Sequence, residues 1–140
     1  MNVMLGPDVY VNASVALGSP PEQVVQRVLA KHKGQTKTTP WILDRVAAML
    51  SQIPEFKPDA VTNQIAVIKQ YVNLIDGKAD EFPPDQWTQA LVAGAKQAGV
   101  TRVVTDHPDL ADKDEVDGVE FLSSEAWLIE QTTPPPPPAG

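Results

Sequence analysis

Carboxylates and one imidazole gather at two distant places in the chain. Asp8 stands just beyond the short apolar run Val3-Met4-Leu5, and Asp106, His107 and Asp109 stand just beyond Arg102-Val103-Val104-Thr105. In an α/β sheet, groups at the carboxyl ends of the strands face the ligand crevice. If the two strands lie side by side, Asp8 can share one divalent cation with Asp106 or Asp109. Phosphodiester hydrolysis wants such a cluster: carboxylates hold a hard cation such as Mg²⁺ or Mn²⁺, which neutralises charge on nonbridging oxygens and acidifies a water.

Each of these residues also has a structural use. Asp8 follows Gly6-Pro7 and suits a turn or a cap, while Asp44 beside Arg45 suits a solvated ion pair. Asp85 follows Pro83-Pro84 and is expected to cap a helix. Asp106 before His107-Pro108 is a natural turn residue, and Asp109 can cap a short helical turn. His107 can ligate a transition metal or act as a general base, or it can be a polar loop residue.

The elements that must position these groups can be read in outline. Val3 to Leu5 is expected to be a buried strand stopped by Gly6-Pro7. Ser19-Pro20-Pro21-Glu22 has capping-box spacing and opens a helix with Val24, Val25, Val28 and Leu29 as its stripe, ended by Gly34. Thr39-Pro40 opens a second, carrying Ile42, Leu43, Val46 and Leu50. A third runs from Asp59 to Ile75, and a fourth, capped near Asp85, carries Trp87, Leu91, Ala95 and Ala98 up to Gly99. Strands are expected at 102–105 and at Val119–Leu122, followed by a helix from Ser123-Ser124-Glu125 to Ile129. Helices alternating with short apolar strands imply a three-layer α/β/α sandwich with a mainly parallel central sheet.

Size and composition narrow the choices. A chain of 140 residues with 42% apolar content supports one core; residues 1–130 are expected to form the domain, and 131–140, with five consecutive prolines, a disordered Pro-rich tail. Without cysteine there is no disulfide, thiolate metal site or cysteine nucleophile. No Gly-x-Ser-x-Gly elbow supports a serine hydrolase. A net charge of −7 argues against a basic-patch nucleic-acid binder. No apolar run approaches the roughly 20 residues that span a bilayer, so a cytoplasmic protein is expected.

Three smaller features have a plain use and a sharper one. The acidic run Asp112, Asp114, Glu115 and Asp117 reads as a solvated loop or a partner surface. Trp41, Trp87 and Trp127 read as packing residues, with base stacking as the alternative. Lys31, Lys33 and Lys37 form a local basic cluster, the polar end of a helix or an RNA-backbone contact.

In order along the chain, these pieces resemble the PIN domain. The resemblance rests on Asp8-Val9-Tyr10-Val11-Asn12-Ala13-Ser14 followed by Gly18-Ser19-Pro20-Pro21 at one end. At the other it rests on Gly99-Val100-Thr101-Arg102-Val103-Val104-Thr105, Asp109-Leu110 and Gly118-Val119-Glu120-Phe121-Leu122-Ser123. It covers about residues 1 to 130, with specific ends and an unspecific middle. The resemblance implies a PIN-like α/β fold and a Mg²⁺- or Mn²⁺-dependent ribonuclease, often the toxin of a toxin-antitoxin pair, with RNA as substrate, an antitoxin or other protein partner, and a homodimer. It implies Asp8 as the first metal ligand and Asp44 where the family has Glu. Asp85 is the candidate third acid, about one helical turn early. The final acid is expected two residues after Thr105, where His107 stands, with Asp106 displaced by one. Ser14 and Thr105 match family positions. Two functions follow: a ribonuclease with an altered acidic site, and a noncatalytic PIN-like module acting through protein contacts.

Overall fold

A computed structural model of the chain describes residues 3–31, 36–78, 80–111 and 115–132, the side chains of Lys31, Ala111 and Thr132 excepted. The helix stop at Gly34, His32, Lys33, Asp112, Asp114 and the Pro-rich segment 133–140 lie outside these residues. In chain order the elements are β1 (Met4–Leu5), α1 (Pro7–Val15), α2 (Pro20–Lys31), β2 (Lys37–Thr38), α3 (Pro40–Ser51), α4 (Pro58–Tyr71), β3 (Asn73–Leu74), α5 (Trp87–Ala98), β4 (Arg102–Val104), α6 (Pro108–Ala111), β5 (Glu115–Val116), β6 (Val119–Leu122) and α7 (Ser124–Thr132).

The strands form one six-stranded sheet in the order β3-β2-β1-β4-β6-β5. All pairings are parallel except β5 with β6. Met4 lies opposite Val103 and Leu5 opposite Val104, so the two strands that precede Asp8 and Asp106 are neighbours at the centre. Successive side chains of a strand point to opposite faces, yet Met4, Leu5, Val103 and Val104 are all fully buried; both faces of the sheet are therefore covered. Trp127, Ile42, Leu50, Leu91 and Leu110 fill the layers above and below. The architecture is the α/β, PIN-like class expected from the sequence. No helix among the described residues is long and apolar enough to cross a membrane.

Local chemistry sets most boundaries as expected. Thr39 is the N-cap of α3, its Oγ1 accepting from the Ile42 amide at 3.1 Å, with Pro40 in the first turn. Gly99 ends α5 in the left-handed region at φ 72°. Several elements differ from expectation. Helix α1 went unexpected: Gly6 caps it with no side-chain bond, and its buried residues run consecutively from Pro7 to Val11 instead of forming a stripe. Helix α4 stops at Tyr71, not Ile75, because Val72 turns extended and Asn73 and Ile75 donate to Thr36 and Thr38 oxygens, each at 3.0 Å, creating edge strand β3. Asp85 does not cap α5; Gln86 holds that position without a side-chain bond, and Asp85 is exposed. Within the acidic run, Glu115 belongs to strand β5, joined to β6 by Asp117 (φ 57°) and Gly118 (φ 85°), a pair of positive angles suited to a tight hairpin.

Candidate functional site

Strands β1 and β4 end side by side, and the chain leaves both at once. The Gly6 amide donates to the Val104 carbonyl at 2.8 Å, extending the ladder by one bond before Pro7 begins α1. There is no room there for a side chain: a Cβ on Gly6 would lie 2.8 Å from Asp8 Oδ1 and 3.0 Å from Thr105 Cβ. Asp8, in the first turn of α1, turns its carboxylate into that space and is only 7% exposed.

Both oxygens of Asp8 are engaged. The hydroxyl of buried Thr105 donates to Oδ1 and the Asp106 amide donates to Oδ2, each at 2.7 Å. Burial nevertheless raises the Asp8 carboxyl above the ordinary carboxylate value; the two hydrogen bonds pull it back, and the charge of Asp106 pushes it up again. Net desolvation wins over hydrogen bonding.

Asp106 points the other way. Its Oδ1 accepts from the Ser124 amide at 2.8 Å and its Oδ2 from the Ser124 hydroxyl at 2.6 Å, at the start of α7. Asp106 therefore joins the end of β4 to the first turn of α7. His107 takes a third direction. Its amide donates to Thr105 Oγ1 at 3.2 Å, its Nδ1 accepts from the Asp109 amide at 3.2 Å at the start of α6, and its ring lies on Trp87 with centroids 4.6 Å apart. Trp87 in turn meets Trp41 edge to face at 5.9 Å, and Trp41 Nε1 donates to the Phe82 carbonyl at 3.2 Å. Trp127 is buried. The three indoles are thus packing residues in this fold.

Asp8, Thr105, Asp106 and His107 come together as the strand-end rule requires. Asp44 is exposed on α3, Asp85 is exposed ahead of α5, and Asp109 is exposed on α6. Among the described residues, no group of three or more His, Cys, Asp or Glu is placed to hold a metal ion. Each of the four oxygens of Asp8 and Asp106 already accepts a hydrogen bond from this chain. A hard cation wants several converging, uncommitted oxygens. Among the described residues Asp8 and Asp106 are thus two acids without a third, fewer ligands than a hard cation usually collects. Ser14 lies away from this cluster, where its hydroxyl donates to the Tyr10 carbonyl at 3.0 Å and accepts from Gln64 Nε2 at 2.9 Å.

Two residues of the cluster were not singled out from the sequence. Ser124 was read only as part of a helix start, although a Ser at that place is the group that a preceding acid can grip. Gly6 was read only as a strand stop, whereas its missing side chain makes the space that Asp8 fills.

The fold is shared with a chain of VapBC2 from Rickettsia felis, crystallised bound to a DNA fragment from their promoter. The match has a TM-score of 0.61 at 10% identity and covers 88% of this chain and 98% of that one. At that identity the likeness is one of fold, and it supports the PIN-like fold. No family model matches the sequence, and no curated protein does.

Proposed function

We propose that this chain is a catalytically degenerate PIN-like module that acts through contacts with a protein partner. The observation that carries this reading is the hydrogen-bond closure of the strand-end carboxylates. Asp8 is held by Thr105 and the Asp106 amide, and Asp106 by Ser124, so the cluster fastens β1, β4, α1 and α7 together. The other acids that the resemblance assigns, Asp44 and Asp85, stand exposed on separate elements. Support for a partner comes from the VapBC2 neighbour, which was crystallised bound to a DNA fragment from their promoter.

The second reading is a metal-dependent ribonuclease, and one observation favours it. Asp8 and Asp106 lie close enough for the charge of Asp106 to raise the Asp8 carboxyl, and a bound cation relieves that kind of strain. One experiment separates the two. The protein is mixed with a labelled RNA of mixed sequence at millimolar Mg²⁺ or Mn²⁺, and its melting temperature is followed with and without each ion. The degenerate module neither cleaves nor gains stability. Mn²⁺-dependent cleavage that disappears in Asp8→Asn would refute it.

A further inference from the structure

Helices α2 and α7 border an open groove of about 710 Å³ that none of the strand-end residues lines. Pro20, Gln23, Gln26 and Arg27 line it from α2, and Glu125, Leu128 and Ile129 from α7. Positions three or four apart share one face of a helix, so each set forms a single stripe. The apolar part is Pro20, Leu128 and Ile129, the last 57% exposed. The polar part is rich in donors, two side-chain amides and a guanidinium. Gln23 Nε2 spends one N–H on the Gly18 carbonyl at 3.0 Å, whereas the Arg27 guanidinium makes no ion pair among the described residues. Glu125, the one carboxylate of the lining, is exposed to water.

Donors set beside apolar side chains suit a ligand that is apolar, uncharged and rich in acceptors. The sequence carries such a segment close by. Residues 134–138 are five consecutive prolines, and no charged side chain follows Glu130. Proline has no N–H, so a proline run presents only ring carbons and carbonyls, and in the extended helix it favours those carbonyls have no internal partner. Five residues of that helix measure about 15 Å, against about 10 Å from Pro20 to Arg27 along α2. The run begins two residues beyond Thr132, where α7 ends. The last turn of α7 is fixed, because Glu130 accepts two bonds from Arg102, each at 2.6 Å.

We propose that the α2–α7 groove is the docking site of this chain's own proline run, residues 134–138, whose carbonyls accept from Gln26 and Arg27 while its rings lie on Pro20, Leu128 and Ile129. A residue before proline disfavours helical backbone, so the chain bends at Thr133 instead of prolonging α7. So short a tether gives the run an effective concentration in the millimolar range, and a stiff run loses little entropy on docking, so a weak contact is enough. Docked in this way, the run reaches an outside proline-binding partner only after release from the groove. The inference is independent of whether the strand-end acids bind metal.

The test compares the wild-type chain with a variant in which all five prolines, Pro134 to Pro138, are replaced by Ser, which keeps the length and removes the stiffness. The NMR signals of the Leu128 and Ile129 methyls and of the Gln26 side-chain amide are followed in both. These signals should differ between the two chains. A synthetic peptide of residues 132–140, titrated into the Ser variant, should return them saturably towards their wild-type positions, and Arg27→Ala should weaken that peptide about fivefold. Coincident signals in the two chains, or shifts that rise linearly with peptide, overturn the proposal. So do wild-type signals that move to the Ser-variant positions on dilution, because a second copy then fills the groove.

Discussion

Replacing Asp8 separates a fastening role from a catalytic one, because two substitutions at this position should differ in cost and in pH dependence. Asp8→Ala leaves the Thr105 hydroxyl and the Asp106 amide without their acceptor in a place where the native side chain is 7% exposed. Each buried polar group left unsatisfied costs about 1–3 kcal/mol, so roughly 2–4 kcal/mol is lost after some water entry. For a domain of this size that lowers the melting temperature by on the order of 10 °C. Asp8→Asn keeps an acceptor for the Asp106 amide and offers its NH₂ to Thr105 Oγ1, which can accept. It also removes a charge that burial and Asp106 disfavour. The buried Thr105 O–H loses its acceptor, however, so near neutral pH the stability of Asp8→Asn should lie between those of Asp8→Ala and the wild type. The sign with pH follows from the raised carboxyl. The proton on Asp8 stabilises the fold fully below the ordinary carboxylate value of 3.8, and that contribution fades as pH rises through the higher folded value. Wild type should accordingly compare best with Asp8→Asn in acid and worst at neutrality. Thermal melts followed by circular dichroism across that range read both effects. An Asp8→Ala melting temperature within about 2 °C of wild type would refute the fastening role. So would a neutral-pH loss in Asp8→Asn as large as in Asp8→Ala.

The neighbouring positions give two more expectations. Asp106→Ala removes both bonds to Ser124 and should cost about 1–2 kcal/mol, as the loss of a helix cap does, with slowed amide-exchange protection lost first in α7. Gly6→Ala should destabilise by about 1–3 kcal/mol in a denaturant melt, since its Cβ meets Asp8 Oδ1 and Thr105 Cβ; in Asp8→Asn the same clash persists, so the penalty should too.

What the sequence made legible were the features that a few adjacent residues decide. Thr39-Pro40 marks the start of α3 because the Thr oxygen reaches an amide three residues on. Gly99 marks the end of α5 because a residue free of Cβ tolerates φ 72° there. The pairing of β1 with β4 was legible too, since two short apolar runs each followed by an acid fit one sheet edge. Strands β2 and β3 were not. Lys37-Thr38 and Asn73-Leu74 have no apolar pattern of their own, and only their bonds to distant backbone make them strands. Helix α1 escaped for a related reason: Val9, Tyr10 and Val11 are buried together, which hides the helical period. Asp44 and Asp85 were joined to the site by resemblance alone, and nothing in their local sequence fixed which way they face.

The one-residue displacement at the end of β4 explains why convergence of acids does not by itself make a metal site. Past Val104 the chain has three residues before Pro108 starts α6, and each is used by a different neighbour. Thr105 turns its hydroxyl back to Asp8, the Asp106 carboxylate reaches forward to Ser124, and the His107 ring covers Trp87 while accepting from Asp109. The Asp106 amide, not its carboxylate, is what faces Asp8. An amide in that place is a donor, and it satisfies one lone pair of Asp8 Oδ2 where a second carboxylate would have converged with it. Gly6 completes the closure from the opposite strand, because the space beside it is already filled by the Asp8 carboxylate and Thr105. The acids are thus brought together by the sheet and then turned apart by the caps of α6 and α7, so the same spacing that marks the fold leaves its chemistry committed to holding the fold.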